Sequence, residues 1–310
     1  MKKKLLLSLL FAAFAVSQLS AQMLVGSYNI RLKLSSDSEN GNVWGKRCQV
    51  MCDQLNFMSP DIFGTQEVLH VQLLDMLDRL DGYDYIGVGR DDGNTGGEYA
   101  AIFYKTDRLR LLDYGNFWLN ETPDRPGLGW DAACIRICTW GKFASQTATD
   151  DEAFYFFNLH MDHVGVVARR EAAKLIVSKV REIAQGAPVI VTGDFNVDQN
   201  DEIYSIFTQS ALLKDSYLAS RIRFAENGTF NSFDTDLYTN CRIDHIFVSP
   251  SINVDAYGIL TNSYWTPDND SSELMKGHDA PQEIDFSRYV RRQPSDHYPV
   301  FVRINFLNLN

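Results

Sequence analysis

The chain has 310 residues, of which 45% are hydrophobic and 22% are charged, and it contains 9 Pro and 20 Gly. This composition excludes a disordered, collagen-like or low-complexity protein, and the length is sufficient for one large folded domain. The net charge of −11 argues against a protein that holds nucleic acid by bulk electrostatics, because such proteins neutralise phosphates with Lys and Arg.

Residues 1–21 have the pattern of a secretory signal peptide. Three lysines at positions 2–4 precede an apolar run at 5–16, and small or polar residues follow as far as Ala21. The run covers 12 residues, whereas a membrane-spanning helix needs about 20 apolar residues, so a membrane anchor is the weaker alternative. We predict cleavage after Ala21 and export to a periplasm or to the outside of the cell. Losing the three lysines would change the net charge from −11 to −14 and leave no spanning segment in residues 22–310.

Apolar periodicity predicts interleaved helices and strands in the rest of the chain. Side chains that recur at three- and four-residue steps predict helices at 44–58, 71–77 and 172–183. Several predicted strands follow one another without a helix, which favours a mixed α/β or α+β sandwich over a doubly wound parallel sheet. No repeat, linker or charge block divides residues 22–310, so we expect a single domain. The predicted strands are 23–30, 61–65, 99–104, 154–159, 189–191, 243–248 and 300–304.

Polar side chains stand at the ends of these strands, where loops held by a rigid scaffold usually carry catalytic groups. Their carboxylate and amide oxygens suit Mg²⁺, Mn²⁺ or Ca²⁺ better than zinc or copper. A divalent ion beside carboxylates, with a histidine to take a proton, can hydrolyse a phosphoester. The residues are Asn29, Glu67, Asp194, Asn196, Asp244, His245, Asp296 and His297.

Six short motifs carry most of these residues: SYNIR at 27–31, GTQEV at 64–68, NLHMDH at 158–163, GDFN at 193–196, RIDHI at 242–246 and PSDHYPV at 294–300. Each alone could be a polar strand end that caps a turn, but the ordered set covers nearly all of residues 22–310. In this order they resemble the endonuclease/exonuclease/phosphatase (deoxyribonuclease I-like) superfamily, nearest to its secreted bacterial and deadenylase-like branches. The resemblance implies a four-layer α/β sandwich in which two central, mostly antiparallel sheets are flanked by helices.

The resemblance also implies a metal site and a general base. Glu67 would be the main metal carboxylate, with Asn29 beside it, and the ion would be Mg²⁺, with Mn²⁺ or Ca²⁺ as alternatives. His297 would take a proton from the attacking water, and Asp296 would orient that histidine or join the metal shell.

The other matching residues would act on the phosphoryl group. Asp194 would orient the nucleophile or assist proton transfer, and Asn196 and His160 would hold the phosphoryl oxygens and stabilise their charge. Asp244 would complete the acidic cluster and support His160 or a second metal position. Two further residues are candidates for substrate binding: Glu98, which could instead be a solvated carboxylate, and Arg136, which could instead form a structural ion pair with Asp131 or another acid.

Three functions are compatible with this pattern. The first is a secreted, divalent-metal-dependent phosphoester hydrolase with a small phosphorylated substrate or headgroup, the second is a secreted nuclease that acts on DNA or RNA, and the third is a non-catalytic binding protein. All the positions expected to be catalytic carry suitable residues, which argues against the non-catalytic binding protein. The net negative charge and the lack of a basic stripe in the sequence favour the hydrolase of small substrates over the nuclease. Residues 264–294 are predicted to be a long acidic loop that rims the site and repels long polyanions.

Overall fold

The computed structural model describes residues 22–268 and 274–306, so the predicted signal peptide lies outside the described residues. Within these ranges, two large β-sheets face each other and helices cover their outer faces, which confirms the predicted mixed α/β sandwich. None of the helices in these ranges combines the length and the apolar content needed to cross a membrane.

The elements alternate along the chain as follows. The helices are α1 (Ser35–Glu39), α2 (Trp44–Met58), α3 (His70–Leu77), α4 (Val166–Ala184), α5 (Glu202–Thr208) and α6 (Ser216–Ala219), with a 3₁₀ turn at Asp150–Glu152. The strands are β1 (Met23–Asn29), β2 (Ile62–Val68), β3 (Tyr83–Ile86), β4 (Tyr99–Lys105), β5 (Leu109–Trp118), β6 (Ile137–Ser145), β7 (Phe154–His160), β8 (Val189–Asp194), β9 (Lys214–Asp215), β10 (Ile222–Phe224), β11 (Asp244–Val248), β12 (Ile252–Ile259), β13 (Tyr264–Pro267), β14 (Met275–Lys276), β15 (Asp285–Phe286), β16 (Tyr289–Arg292) and β17 (Val300–Phe306).

Both large sheets are mostly antiparallel, but each contains a parallel pair at its centre. The first sheet has the order β10-β12-β17-β1-β2-β4-β3, and β1 and β2 are parallel. The second has the order β5-β6-β7-β8-β11-β9, and β7 and β8 are parallel. Parallel strands end at the same edge of a sheet, so each pair delivers its carboxyl-terminal residues to one place.

Apolar side chains fill three layers between these elements. The layer between the sheets includes Phe156, Ile190 and Val302, all fully buried. A second layer lies where α2 and α3 cover the first sheet, and a third lies where α4 and α5 cover the second. Burial of this apolar surface is the main term that holds the sheets face to face.

A buried hydrogen-bond network interrupts the apolar layer near the strand ends. Asn158 on β7 accepts from Gln66 Nε2 at 2.6 Å and from Thr192 Oγ1 at 3.0 Å, and its Nδ2 donates to the Thr65 carbonyl at 2.8 Å. All four residues are fully buried. A Cβ at Gly64 would collide with the Asn158 side chain, so glycine permits the close approach of the sheets here. The network therefore fixes β2 of one sheet against β7 and β8 of the other.

The structure differs from the sequence prediction for residues 264–294. We expected a long loop, but β13 pairs with β16 and β14 pairs with β15, so the described residues of this segment form a β-hairpin with a second short ladder. The residues at its two ends pair across the strands, from Tyr264 with Arg292 to Pro267 with Tyr289. The abundance of acidic residues concealed this pairing pattern in the sequence.

Candidate active site

The predicted catalytic residues gather at one end of the sandwich because of strand register. His160 ends β7, Asp194 ends the parallel strand β8, and Asp244 begins the antiparallel strand β11; the three lie side by side in register. Across the sandwich, Asn29 ends β1 and Glu67 lies near the end of the parallel strand β2. The two sheets therefore contribute opposite walls of one site.

Asn29 joins these walls. It is fully buried, and its Nδ2 donates to Glu67 Oε1 and to Asp194 Oδ2, both at 3.0 Å, while it lies 3.4 Å from His297 Nε2. Its Oδ1 accepts from the Arg31 backbone N–H at 3.0 Å. In this arrangement Nδ2 of Asn29 holds the two carboxylates together, and Oδ1, the atom that could face a cation, accepts from the Arg31 N–H.

His297 is oriented by Asp244. The distance between His297 Nδ1 and Asp244 Oδ2 is 2.8 Å, and both residues are buried. Burial alone would lower the pKa of His297, but the charges of Asp244 and Asp194 outweigh it and raise that pKa well above its ordinary value. The resemblance implied that Asp296 either orients this histidine or joins the metal shell, and that Asp244 supports His160 or a second metal position. In the structure Asp244 hydrogen-bonds the ring of His297 and Asp296 does not, so the orienting contact comes from Asp244.

Asp194 lies between the two site histidines. Its Oδ2 is 3.5 Å from His160 Nε2 and 3.8 Å from His297 Nε2, and its Oδ1 accepts from the Asn196 backbone N–H at 2.9 Å. Burial, reinforced by the nearby charge of Asp244, raises the pKa of Asp194 to about 7. Asp194 is therefore placed to exchange protons with groups on either side.

His160 is held as a neutral group. It is buried, and burial together with the cationic charges of Arg136 and Arg90 lowers its pKa well below the ordinary value. Glu98 Oε2 lies 3.9 Å from its Nδ1. Glu98 in turn accepts from both terminal nitrogens of Arg90, at 2.8 and 2.7 Å, and burial raises the pKa of Glu98 in spite of this cation. Glu98 is thus part of the site wall rather than a solvated carboxylate.

Two of the predicted site residues adopt left-handed backbone conformations. Glu67 has φ +61° at an irregularity in the β2–β4 pairing, and Asn196 has φ +50°. Such conformations cost about 1–3 kcal/mol in a non-glycine residue and persist when the surroundings impose them. For Glu67 the neighbouring Gln66 side chain is anchored in the buried network. For Asn196 the side chain is bonded to the Met161 carbonyl at 3.0 Å.

Asp296 faces a cation instead of the general base. Its Oδ2 is 3.4 Å from Arg31 Nη1, and Arg31 Nε also donates to Asp37 at 3.0 Å. Burial and the charge of Glu67 raise the pKa of Asp296, while His297, Arg31 and Arg47 oppose that change. The buried Arg47 holds the two chain segments in place by donating to the carbonyls of residues 30 and 294.

These residues line a cleft of about 380 Å³. The buried side chain of Arg136 forms part of the cleft wall. The acidic partner of Arg136 is Asp162 and not Asp131, because Arg136 Nε lies 3.3 Å from Asp162 Oδ1. Other residues that line the cleft were not predicted as site residues, because the family motifs assign no role to their positions. These residues are Arg31, Leu32, Arg90, Cys134, His163, Phe230 and Ile243.

The donor set fits a divalent cation. Glu67, Asp194 and His297 lie close enough together to hold a cation, with one ligand atom of each within 4.8 Å of the others. Because Nδ1 of His297 is bonded to Asp244 and a nitrogen that binds a cation cannot also take a proton, the two carboxylates are the ligands that leave His297 free as a base. Several carboxylates are buried together here, and their mutual repulsion would be offset by a bound cation. Carboxylate oxygens favour Mg²⁺, Mn²⁺ or Ca²⁺ over softer metals.

Comparison with known proteins identifies the family. The model of the "Endonuclease/Exonuclease/phosphatase family" matches residues 26–297. The chain belongs to this family. It is accordingly a phosphoric ester hydrolase, and divalent-metal dependence is general among the members.

Individual relatives agree with this assignment. An endonuclease/exonuclease/phosphatase family protein from Bacteroides thetaiotaomicron is 46% identical, with a TM-score of 0.85 over 94% of this chain and 99% of that one. A mannosyl-6-phosphatase from the same organism is also 46% identical, with a TM-score of 0.83 over 92% of this chain and all of that one. Nocturnin from Drosophila melanogaster is 25% identical over 185 residues, which are 57% of this chain and 28% of Nocturnin.

Proposed function

We propose that this protein is a divalent-metal-dependent phosphoester hydrolase whose substrates are small phosphorylated sugars. The observation that carries the proposal is the hydrogen-bond system centred on Asn29, whose Nδ2 contacts Glu67, Asp194 and His297, while His297 in turn contacts Asp244. Such a system brings a metal carboxylate, a general base and phosphoryl-binding groups to one small cleft.

The chemistry follows from the charges of these groups. Glu67 would hold the cation, with Asp194 as the nearest further carboxylate, and the cation would supply positive charge to the phosphoryl oxygens. Asp244 accepts from Nδ1–H of His297, so Nε2 faces the site. A bound cation would offset the carboxylate charges that raise the pKa of His297, and Nε2 could then take a proton from water. His160 is neutral, so one of its ring nitrogens carries a proton that can be donated to a phosphoryl oxygen.

Two considerations support a small sugar phosphate over a nucleic acid. The related mannosyl-6-phosphatase has the same fold and is 46% identical over nearly its full length. In addition, the net charge of −11 repels a long polyanion, whereas a single phosphate needs only the local charges of the cleft. We further propose that residues 1–21 direct export, which the mass of the mature protein recovered from culture fractions would test.

Phosphate release from a substrate panel tests the proposal. The panel contains a hexose 6-phosphate, p-nitrophenyl phosphate, its bis-ester, plasmid DNA and RNA, each with Mg²⁺, Mn²⁺ or EDTA. We expect metal-dependent hydrolysis of the hexose 6-phosphate, and His297→Ala should reduce its kcat by about 10²–10⁴-fold. His278→Ala is the matched control, because this histidine lies in the hairpin and its side chain is 94% exposed. Rapid nicking of plasmid without sugar phosphate hydrolysis would instead indicate a nuclease.

A further inference from the structure

The wall of the cleft that carries Arg136 also carries His163, a residue without a role in the chemistry above. The side chains of Arg136 and of the neighbouring His160 are 5% and 9% exposed, whereas that of His163 is 55% exposed. His163 therefore lies nearer to the mouth of the cleft than the other two residues. All three line the same cleft. If the phosphoryl group sits beside the buried His160, the group to which it is esterified extends towards the mouth, where His163 stands.

Arg136 sets the tautomer of His163. Its Nη2 lies 2.9 Å from His163 Nδ1. A guanidinium can only donate, so Nδ1 must be the acceptor, and the imidazole proton is on Nε2. His163 therefore presents a neutral N–H donor that is oriented by its neighbour.

Asp162 makes this wall rigid. It is 2% exposed and accepts five hydrogen bonds, which tie the segment before β6 to the turn after β7. The donors are the backbone N–H groups of Ala133, Cys134, Val164 and Gly165 and the Nε of Arg136.

The same contacts disfavour a metal at this position, although Cys134, Asp162 and His163 are close enough together to bind one. The oxygens of Asp162 are already engaged by five donors, and the Arg136 cation lies against Nδ1 of His163. A fixed, neutral donor beside a cation is instead suited to a hydroxyl group, which can accept from the imidazole N–H without carrying charge.

We propose that Arg136 and His163 form the subsite for the leaving group, and that this subsite selects phosphoesters whose leaving group carries hydroxyl groups, as in sugar phosphates. The inference rests on the proposed function and deepens it. His163 is a specificity-determining residue, and Arg136 is the residue that positions it.

The test compares a hexose 6-phosphate with p-nitrophenyl phosphate, which has no hydroxyl on its leaving group. His163→Ala should raise KM for the hexose 6-phosphate by about threefold to tenfold, the worth of one neutral hydrogen bond, with kcat retained. KM and kcat for p-nitrophenyl phosphate should stay within about twofold of the wild-type values. His163→Gln should recover most of the lost affinity, because its amide can accept from Arg136 and still donate outward.

Arg136→Lys and a matched histidine variant complete the design. Arg136→Lys retains the positive charge, and with it the attraction for the phosphoryl group that both substrates share, but it loses the fork that reaches both Asp162 and His163. It should therefore reproduce the selective rise in KM for the hexose 6-phosphate. His278→Ala, on the exposed hairpin, should leave KM and kcat unchanged for both substrates.

The outcomes separate the two proposals. An equal rise in KM for both substrates in His163→Ala would show that His163 acts on the phosphoryl group or on the stability of the protein. An unchanged KM for the hexose 6-phosphate would show that His163 does not contact the sugar. Either result overturns the proposed subsite. A wild-type protein that hydrolyses neither compound would overturn the proposed function, and the subsite with it.

Discussion

Asp162→Asn should destabilise the protein and displace one wall of the cleft. Burial alone would raise the pKa of Asp162, but hydrogen bonds from the backbone N–H groups of Gly165, Val164 and Ala133, together with the charge of Arg136, lower it to about 2. Asparagine removes the negative charge and turns an NH₂ group towards N–H donors. At least one buried donor then loses its acceptor.

The lowered pKa gives the magnitude. A change from the ordinary 3.8 to about 2 corresponds to about 2.5 kcal/mol of folding free energy at neutral pH. Because the folded-state pKa is the lower one, this contribution is fully present above pH 4 and is lost as the pH falls from about 4 to about 2. The Asp162→Asn variant has no such titrating group and lacks the contribution at every pH.

Urea unfolding of wild-type protein and Asp162→Asn between pH 7 and pH 3 measures the difference. We expect a gap of about 2–3 kcal/mol in the free energy of unfolding at pH 7, which narrows below pH 4. Equal stability at pH 7, or a gap that is the same at pH 7 and pH 3, would refute the assignment of the effect to the Asp162 charge.

Three further predictions concern the site and the network beneath it. Glu67→Gln should weaken Mg²⁺ binding by at least about tenfold, and His297→Ala should weaken it less; calorimetry that gives the reverse order would contradict the roles of both residues. Asp244→Asn should lower kcat about 10–100-fold while KM and Mg²⁺ affinity change little, since it removes a charged hydrogen bond from the general base; unchanged steady-state kinetics would count against that role. Asn158→Ala should lower the free energy of unfolding by about 1–3 kcal/mol, because it leaves buried partners unpaired. Asn253→Ala, on the exposed side of β12, is the control, and its free energy of unfolding should stay within about 0.5 kcal/mol of the wild-type value. Similar losses of stability in the two variants would argue against a stabilising role of the buried network.

The sequence predicted the layers of the fold because the required signals are local. Helix α2 was predicted with the observed bounds, and the central strands β1, β2, β7 and β8 were each predicted from a buried apolar run. Strands β5 and β6, at one side of the second sheet, were missed. Between its buried ends β5 is half-buried or exposed, and β6, although mostly buried, is interrupted by Thr139, Gly141 and Lys142, so neither has a continuous apolar run.

The members of the site could be predicted from motif order, but their pairing could not. Asp244 and Asp296 each precede a histidine in the sequence, so the sequence did not decide which aspartate orients His297. The register of β11 against β8 decides it, because it places Asp244 beside Asp194 and against the His297 ring. Register depends on contacts that are distant in the sequence, and motif spacing does not contain them.

The arginines of the cleft qualify the first inference drawn from net charge. Each has a carboxylate partner: Arg90 pairs with Glu98, Arg136 pairs with Asp162, and Arg31 pairs with Asp37 and Asp296. These pairs add no net charge at long range, so a long polyanion approaching the protein is repelled by the acidic surface as a whole. A small phosphate inside the cleft is close enough to be attracted by the guanidinium groups individually. The overall acidity and the local arginines therefore both support the proposed small anionic substrate over nucleic acid.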